Sequence, residues 1–242
     1  MTSVRYAGIA LLTLLVACGG HHPPRKAAGP PHFPVPHHDA AAFDGCLKKG
    51  PGVRSVHIQV GGVTLHAGVL GSGPLGVVLT NQSGANLCEW LPFARKIVAH
   101  HHRALLYDGQ GSPADVSAAE RKLRSMGARR TVAMGASVGA VASIRAVASG
   151  GFDGLVSVSA ERDIAGDVKP DAQHIRAPAL FISAKFDASA VYATKLFYRV
   201  APSSDKHLLI LPGAFHGESL FSGPQRARVE KTVLSFLDHL AS

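Results

Sequence analysis

The hydrophobic positions from residue 75 onward follow a repeating rule. Short apolar runs alternate with longer stretches in which apolar and polar residues share a helical period. The runs at residues 76–80, 104–107, 130–134, 155–158, 179–182 and 208–211 have the pattern of strands covered on both faces. The segment 86–101 sets Leu87, Trp90, Leu91, Ala94, Ile97 and Val98 on one side, as an amphipathic helix does. Further helices are predicted at 115–126, where Gly127 marks the stop, and at 137–149, which ends at Gly150-Gly151. Others are expected near 163–174, at 189–200 and at 220–240. Upstream, Val53–Val60 and Val63–Leu70 read as two strands joined at Gly61-Gly62, a hairpin signal. Together these elements predict an α/β fold: a mostly parallel central sheet with helices on both faces and an antiparallel hairpin at one edge.

Composition narrows the class. The chain has 242 residues, 46% hydrophobic and 17% charged, enough for one domain with a real core and unlike a disordered chain. The net charge of +9 invites a nucleic-acid reading, but no Lys/Arg run exceeds two residues and aromatics are only 6%. No nucleic-acid partner is expected. A basic surface facing an anionic envelope is the milder inference.

The first 18 residues carry a single charge, Arg5, then an apolar run over 7–17 that is too short to span a bilayer. It ends in Leu15-Val16-Ala17-Cys18, which resembles a bacterial lipobox. The resemblance implies lipidation of Cys18, export, and a membrane partner through the anchor, outside the cytoplasm. An ordinary secretory signal cut nearby is the plainer alternative. Residues 19–42 are rich in proline and histidine and read as an extended stalk. The domain proper is expected over 43–242. With Cys18 assigned to lipid, Cys46 and Cys88 form an even pair in an exported protein, and a disulfide between them is expected.

Val132-Ala133-Met134-Gly135-Ala136-Ser137-Val138-Gly139-Ala140 is an apolar strand running into a G-x-S-x-G turn and then a helix. Such a bend presents the serine hydroxyl above the sheet and demands small neighbours. A reactive serine needs a base, and the base needs an orienting acid. Asp187 follows the strand at 179–182, and His216 follows the strand at 208–211 within Pro212-Gly213-Ala214-Phe215-His216-Gly217. The order Ser137, Asp187, His216 puts all three on one rim of the sheet. Asp187 could instead cap the helix it precedes. Asp163 is the fallback acid. His207 and His239 are expected on the surface.

On these residues the chain resembles the α/β-hydrolase fold over about 53–242. The resemblance implies Ser137 as nucleophile, Asp187 as acid and His216 as base. It also implies an oxyanion hole from the N–H groups of Ser83 and Val138, with Gln82 as the next candidate. Asn81-Gln82 stands where many members carry His-Gly. Tyr107-Asp108-Gly109-Gln110-Gly111-Ser112 resembles the Asp-x-x-Gly-x-x-Ser loop of the fold and reads as structural. Few residues separate the strands at 155–158 and 179–182, so little or no cap is expected. The function implied is a serine hydrolase of carboxylic esters, small or surface-presented. The alternatives are a peptidase or acyltransferase with the same triad, or an inactive binding lipoprotein. No metal site and no cofactor are expected, since neither ligand spacing nor a dinucleotide signature stands out.

Overall fold

Alternate residues of each central strand feed two different cores. Val77, Leu79, Leu106, Met134, Val156 and Ile182 face one; Val78, Leu105, Ala133, Leu155 and Phe181 face the other. That two-sided burial explains the continuous apolar runs, because a strand with polar residues on either face would leave them dry. The computed structural model describes residues 52–109, 111–164 and 166–242. Among them, eight strands form one sheet: β1 (Val53–Val60), β2 (Val63–Leu70), β3 (Leu75–Thr80), β4 (Arg103–Tyr107), β5 (Arg130–Ala136), β6 (Gly154–Val158), β7 (Ala179–Ala184) and β8 (Lys206–Leu211). The helices are α1 (Leu91–Ala99), α2 (Pro113–Ser125), α3 (Val138–Ala148), α4 (Lys169–Ala172), α5 (Ala188–Val200) and α6 (Arg226–Ala241). Two 3-10 turns, Leu87–Trp90 and Gly217–Phe221, precede α1 and α6.

The strand order is β1-β2-β4-β3-β5-β6-β7-β8. β2 pairs antiparallel with β1 and β4, and every pair from β4 to β8 is parallel. Residues of α1 and α6 such as Phe93, Ile97, Val233 and Leu237 cover one face. Residues of α2, α3 and α5 such as Leu123, Ile144 and Phe197 cover the other. Each large apolar side chain buried this way contributes about 1.5–3 kcal/mol. The chain passes from β3 to β4 on one side and returns to β5 on the other. Open α/β sheets bind ligands at the carboxyl ends of strands where the order reverses in this way. The register Thr80↔Gly135 brings the loop after β3 beside the residue after β5.

Three expected helices are shorter than the pattern suggested. Of 86–101, Leu87–Trp90 is a 3-10 turn and α1 covers Leu91–Ala99. Of 163–174, only α4 is helical. The residues before it form a loop closed by an Arg162–Asp167 ion pair, with Gly166 at φ 95° and the Asp167 carboxylate accepting from the Lys169 N–H. Of 220–240, the first part belongs to the 3-10 turn, and Gly223-Pro224 separates it from α6, because proline cannot continue the hydrogen-bond ladder. Cys18 and Cys46 lie outside the described residues, and so do the leader, the stalk and the expected Cys46–Cys88 pairing.

The end of α6 is stapled to the turn between α1 and β4. Asp238 accepts from His100 Nδ1 at 2.9 Å and from His102 Nε2 at 2.8 Å. Partial burial pushes the Asp238 carboxyl up, but the hydrogen bonds and charges of the two histidines outweigh it and hold it below the ordinary 3.8. Because Asp238 is well exposed, the staple is worth no more than about 1 kcal/mol. Asp238→Asn is expected to lower the unfolding free energy by that much or less near neutral pH, read by urea denaturation. The difference from wild type should close as the pH falls through the depressed Asp238 pKa, since such a carboxyl stabilises the fold only while ionised.

Candidate active site

The turn after β5 is tightly packed against neighbouring backbone. A Cβ on Gly135 would lie 2.2 Å from the Gly139 carbonyl oxygen, and one on Gly139 would lie 2.4 Å from the Asn81 oxygen and 2.5 Å from that of Thr80. Both glycines of the G-x-S-x-G pattern are thus required by backbone packing against backbone. Between them Ser137 is bent to φ 51° and ψ −117°, a conformation that costs an L-residue about 1–3 kcal/mol. Its N–H donates to the Val158 carbonyl at 2.9 Å, and its own carbonyl accepts from Val141 at 3.1 Å to start α3. The residue is buried at the mouth of the helix, where the dipole and unused N–H groups favour negative charge.

Asp187 stands at the N-cap of α5, yet its side chain makes no capping bond. Its Oδ2 instead accepts from His216 Nδ1 at 2.9 Å. The carboxylate is nearly buried, while the imidazole is about one-third exposed. With Nδ1 carrying the proton for that bond, Nε2 is left as the basic nitrogen. The two loops are also joined through their backbones: Lys185 N–H donates to the Leu211 carbonyl at 2.8 Å and Phe186 N–H to that of Gly213 at 2.9 Å. Asp163, the fallback acid, is highly exposed beside Arg162. His207 and His239 both lie on the surface against Asp205.

Ser137, Asp187 and His216 therefore follow the carboxyl ends of β5, β7 and β8. The structure joins His216 to Asp187. It does not join Ser137 to His216: among the described residues the serine hydroxyl makes no hydrogen bond.

On the other side of Ser137, the end of β3 is firmly held. Buried Trp90 donates from Nε1 to the Thr80 carbonyl at 3.3 Å, and the Thr80 and Tyr107 hydroxyls lie 3.1 Å apart. Among the described residues, the backbone N–H groups of Ser83 and Val138 have no hydrogen-bond partner. The Gln82 N–H is occupied, donating to Glu218 Oε1 at 3.0 Å. That separates Ser83 from Gln82 as a candidate donor. The Asp108 loop is structural, as expected: the Asp108 carboxylate accepts from the His66 N–H at 3.0 Å, and Gly111 packs where a Cβ would lie 2.6 Å from the Val138 side chain. Gln110 lies outside the described residues.

Reading the sequence missed Glu218. It is 5% exposed, and its N–H donates to Gln82 Oε1 at 2.9 Å, returning the bond that Gln82 gives it. A signal was available in the charge that directly follows His216-Gly217, inside an otherwise small and apolar loop.

Among the described residues no group of His, Cys, Asp and Glu could hold a metal ion, and no helix is long and apolar enough to cross a membrane. The sequence matches no protein-family model and no curated protein. Solved structures are similar. A dienelactone hydrolase from Anabaena variabilis is 20% identical, with a TM-score of 0.64, over 77% of this chain and 97% of that one. An esterase from Pyrococcus furiosus is 15% identical, with a TM-score of 0.68, over 78% and 93%. A monoacylglycerol lipase from Paleococcus ferrophilus is 14% identical, with a TM-score of 0.62, over 73% and 99%. At these identities the likeness is one of architecture, and with the strand order above it establishes that this chain has the α/β-hydrolase fold.

Proposed function

We propose that the protein is a serine hydrolase of carboxylic esters. The observation that carries this reading is the direction of the Asp187 side chain, which leaves the helix it could cap and bonds His216 instead. In the proposed cycle, Ser137 Oγ attacks the ester carbonyl while His216 Nε2 takes its proton. The oxyanion accepts from the Ser83 and Val138 N–H groups, each such donor being worth about 3–4 kcal/mol of barrier in favourable cases. The carbon–oxygen bond breaks, and the alcohol leaves with the proton held by His216. Water, deprotonated by His216, then attacks the acyl-enzyme and releases the acid. Asp187 keeps the imidazole in the tautomer with Nε2 free and stabilises it when charged. The Ser137–His216 bond forms in this reading when substrate is bound, since catalytic contacts often tighten only then.

Among the described residues, the β6–β7 connection holds only the short helix α4, which supports an uncapped site. Phe186 and Phe215, the residues preceding Asp187 and His216, are 65% and 40% exposed. Exposed aromatic rings beside the acid and base suit an apolar acyl group approaching from outside. Lipidation of Cys18 belongs to the same proposal. It would hold the domain at a membrane surface outside the cytoplasm, on the stalk at 19–42.

A fluorophosphonate probe is expected to label the wild-type protein and not Ser137→Ala. Turnover of short p-nitrophenyl esters should fall by about 10³-fold or more in that variant. Activity that survives Ser137→Ala would show that another residue carries it, and absence of labelling in folded wild type would favour the binding-lipoprotein reading. Separately, Cys18→Ser is expected to abolish incorporation of labelled palmitate and to move the protein out of the membrane fraction on centrifugation.

A further inference from the structure

β3 and β8 are separated in the sheet by β5, β6 and β7. Sheet pairing alone therefore does not fix the spacing between the loop after β3, which bears Ser83, and the turn after β8, which bears His216. Two hydrogen bonds bridge that gap. The Gln82 N–H donates to Glu218 Oε1 at 3.0 Å, and the Glu218 N–H donates to Gln82 Oε1 at 2.9 Å. The bridge also dictates the residue between His216 and Glu218. Gly217 has φ 56°, and a Cβ there would lie 2.0 Å from Gln82 Oε1. The same Cβ would lie 3.5 Å from the Ala136 Cβ, so Gly217 sits near the residue just before Ser137.

We propose that Glu218 and Gln82 are positioning residues, whose paired bonds lock the His216 turn to the Ser83 loop so that base and oxyanion donor keep one spacing about Ser137. The inference rests on the serine-hydrolase reading and adds to it residues that touch no substrate.

The clasp contains a titratable group. Burial pushes the Glu218 carboxyl up, the Gln82 N–H pulls it down and the Glu89 side chain on the 3-10 turn Leu87–Trp90 pushes it up again, and together they bring it to about 8. Glu89 is the one charged group acting on Glu218 among the described residues. Glu218 Oε2 is buried without a hydrogen-bond partner. Protonated, the carboxyl is neutral and Oε1 still accepts from Gln82. Ionised, it is a buried charge beside a like charge, and the relief is to swing toward water and release Gln82. A histidine base gives a rate that rises with pH and then levels off. The clasp adds a fall through about pH 8.

The test uses the full-length protein with p-nitrophenyl acetate from about pH 6 to about pH 10, together with amide hydrogen exchange of residues 81–85. Glu218→Ala and Gln82→Ala are expected to lower kcat by about 10–100-fold with KM within about threefold. Glu218→Gln keeps the acceptor without the charge. It should restore kcat to within about threefold of wild type and abolish the fall near pH 8. Exchange at the Gln82 amide should quicken about tenfold or more in Glu218→Ala. An unchanged alkaline fall in Glu218→Gln, an unchanged kcat in Gln82→Ala, or unchanged exchange at Gln82 would each overturn the proposal. If Glu218→Ala does not fold, Glu218→Gln and Gln82→Ala carry the test. If wild type neither turns over esters nor takes the fluorophosphonate label, the hydrolase reading fails, and exchange at Gln82 still decides the clasp.

Discussion

Ser137 is held in a backbone conformation it would leave if the surrounding chain let it. The hold comes from contact of backbone with backbone. The carbonyl of Gly139 lies against Gly135, and the Gly139 Cα lies against the carbonyls at the end of β3. The N–H of Ser137 is bonded to β6, and its carbonyl starts α3. Three strands and a helix therefore meet at one residue, and none can shift without the others. A side chain at 135 or 139 would overlap main-chain atoms that have no rotamer to escape into. The strain of about 1–3 kcal/mol is affordable only because so many buried contacts over-determine the turn.

From that point the architecture follows. With β5 at the centre of the sheet and parallel neighbours on each side, the loops near Ser137 are those at the carboxyl ends of β3, β4, β6, β7 and β8. The β7 and β8 loops are bound to each other by two backbone bonds and by the Asp187–His216 pair. The β3 loop is bound through Trp90 and Tyr107 below and through Glu218 above. Ser137, Asp187, His216 and Glu218 thus gather at one rim of a sheet whose central strands are mainly apolar on both faces, and this is why those strands could be recognised as hydrophobic runs; Arg103 and Thr131 are buried polar residues at the opposite rim.

What the sequence made legible is what has a period or a local pattern. The two-sided strands were visible as unbroken apolar runs, the opening hairpin from Gly61-Gly62 between two strand-like runs, and α2, α3 and α5 from the stretches between strands, two of them closed by glycine stops. The turn at Ser137 was visible because its packing needs two glycines at fixed offsets. Asp187 and His216 were legible from their places after strands, although helix capping competed for Asp187 until its side chain was seen to turn away from α5. The loop before α4 was misjudged because an Arg162–Asp167 pair and Gly166 settle it, and neither leaves a periodic trace. Gln82 and Glu218 lie 136 residues apart. Neither has a pattern around it, and only the three-dimensional fold brings them to face each other.

That difference says something about how such a site is specified. A buried carboxyl with its pKa near 8 is a cost at neutral pH, because the unfolded chain would ionise it freely near 4.5 and the native state resists. Stability is therefore lost as the pH rises between those two values. An apolar residue of similar size would pack at 218 without that loss, but it could not accept the Gln82 N–H, and that amide would then be an unsatisfied donor next to Ser83. Leaving such a group bare costs about 1–3 kcal/mol and frees the loop to move. Compared with an apolar residue, the acid at 218 keeps the Gln82 N–H satisfied and so holds the loop that bears Ser83. The glycine at 217, the amide at 82 and the acid at 218 form a single device, and changing any one removes the reason for the other two.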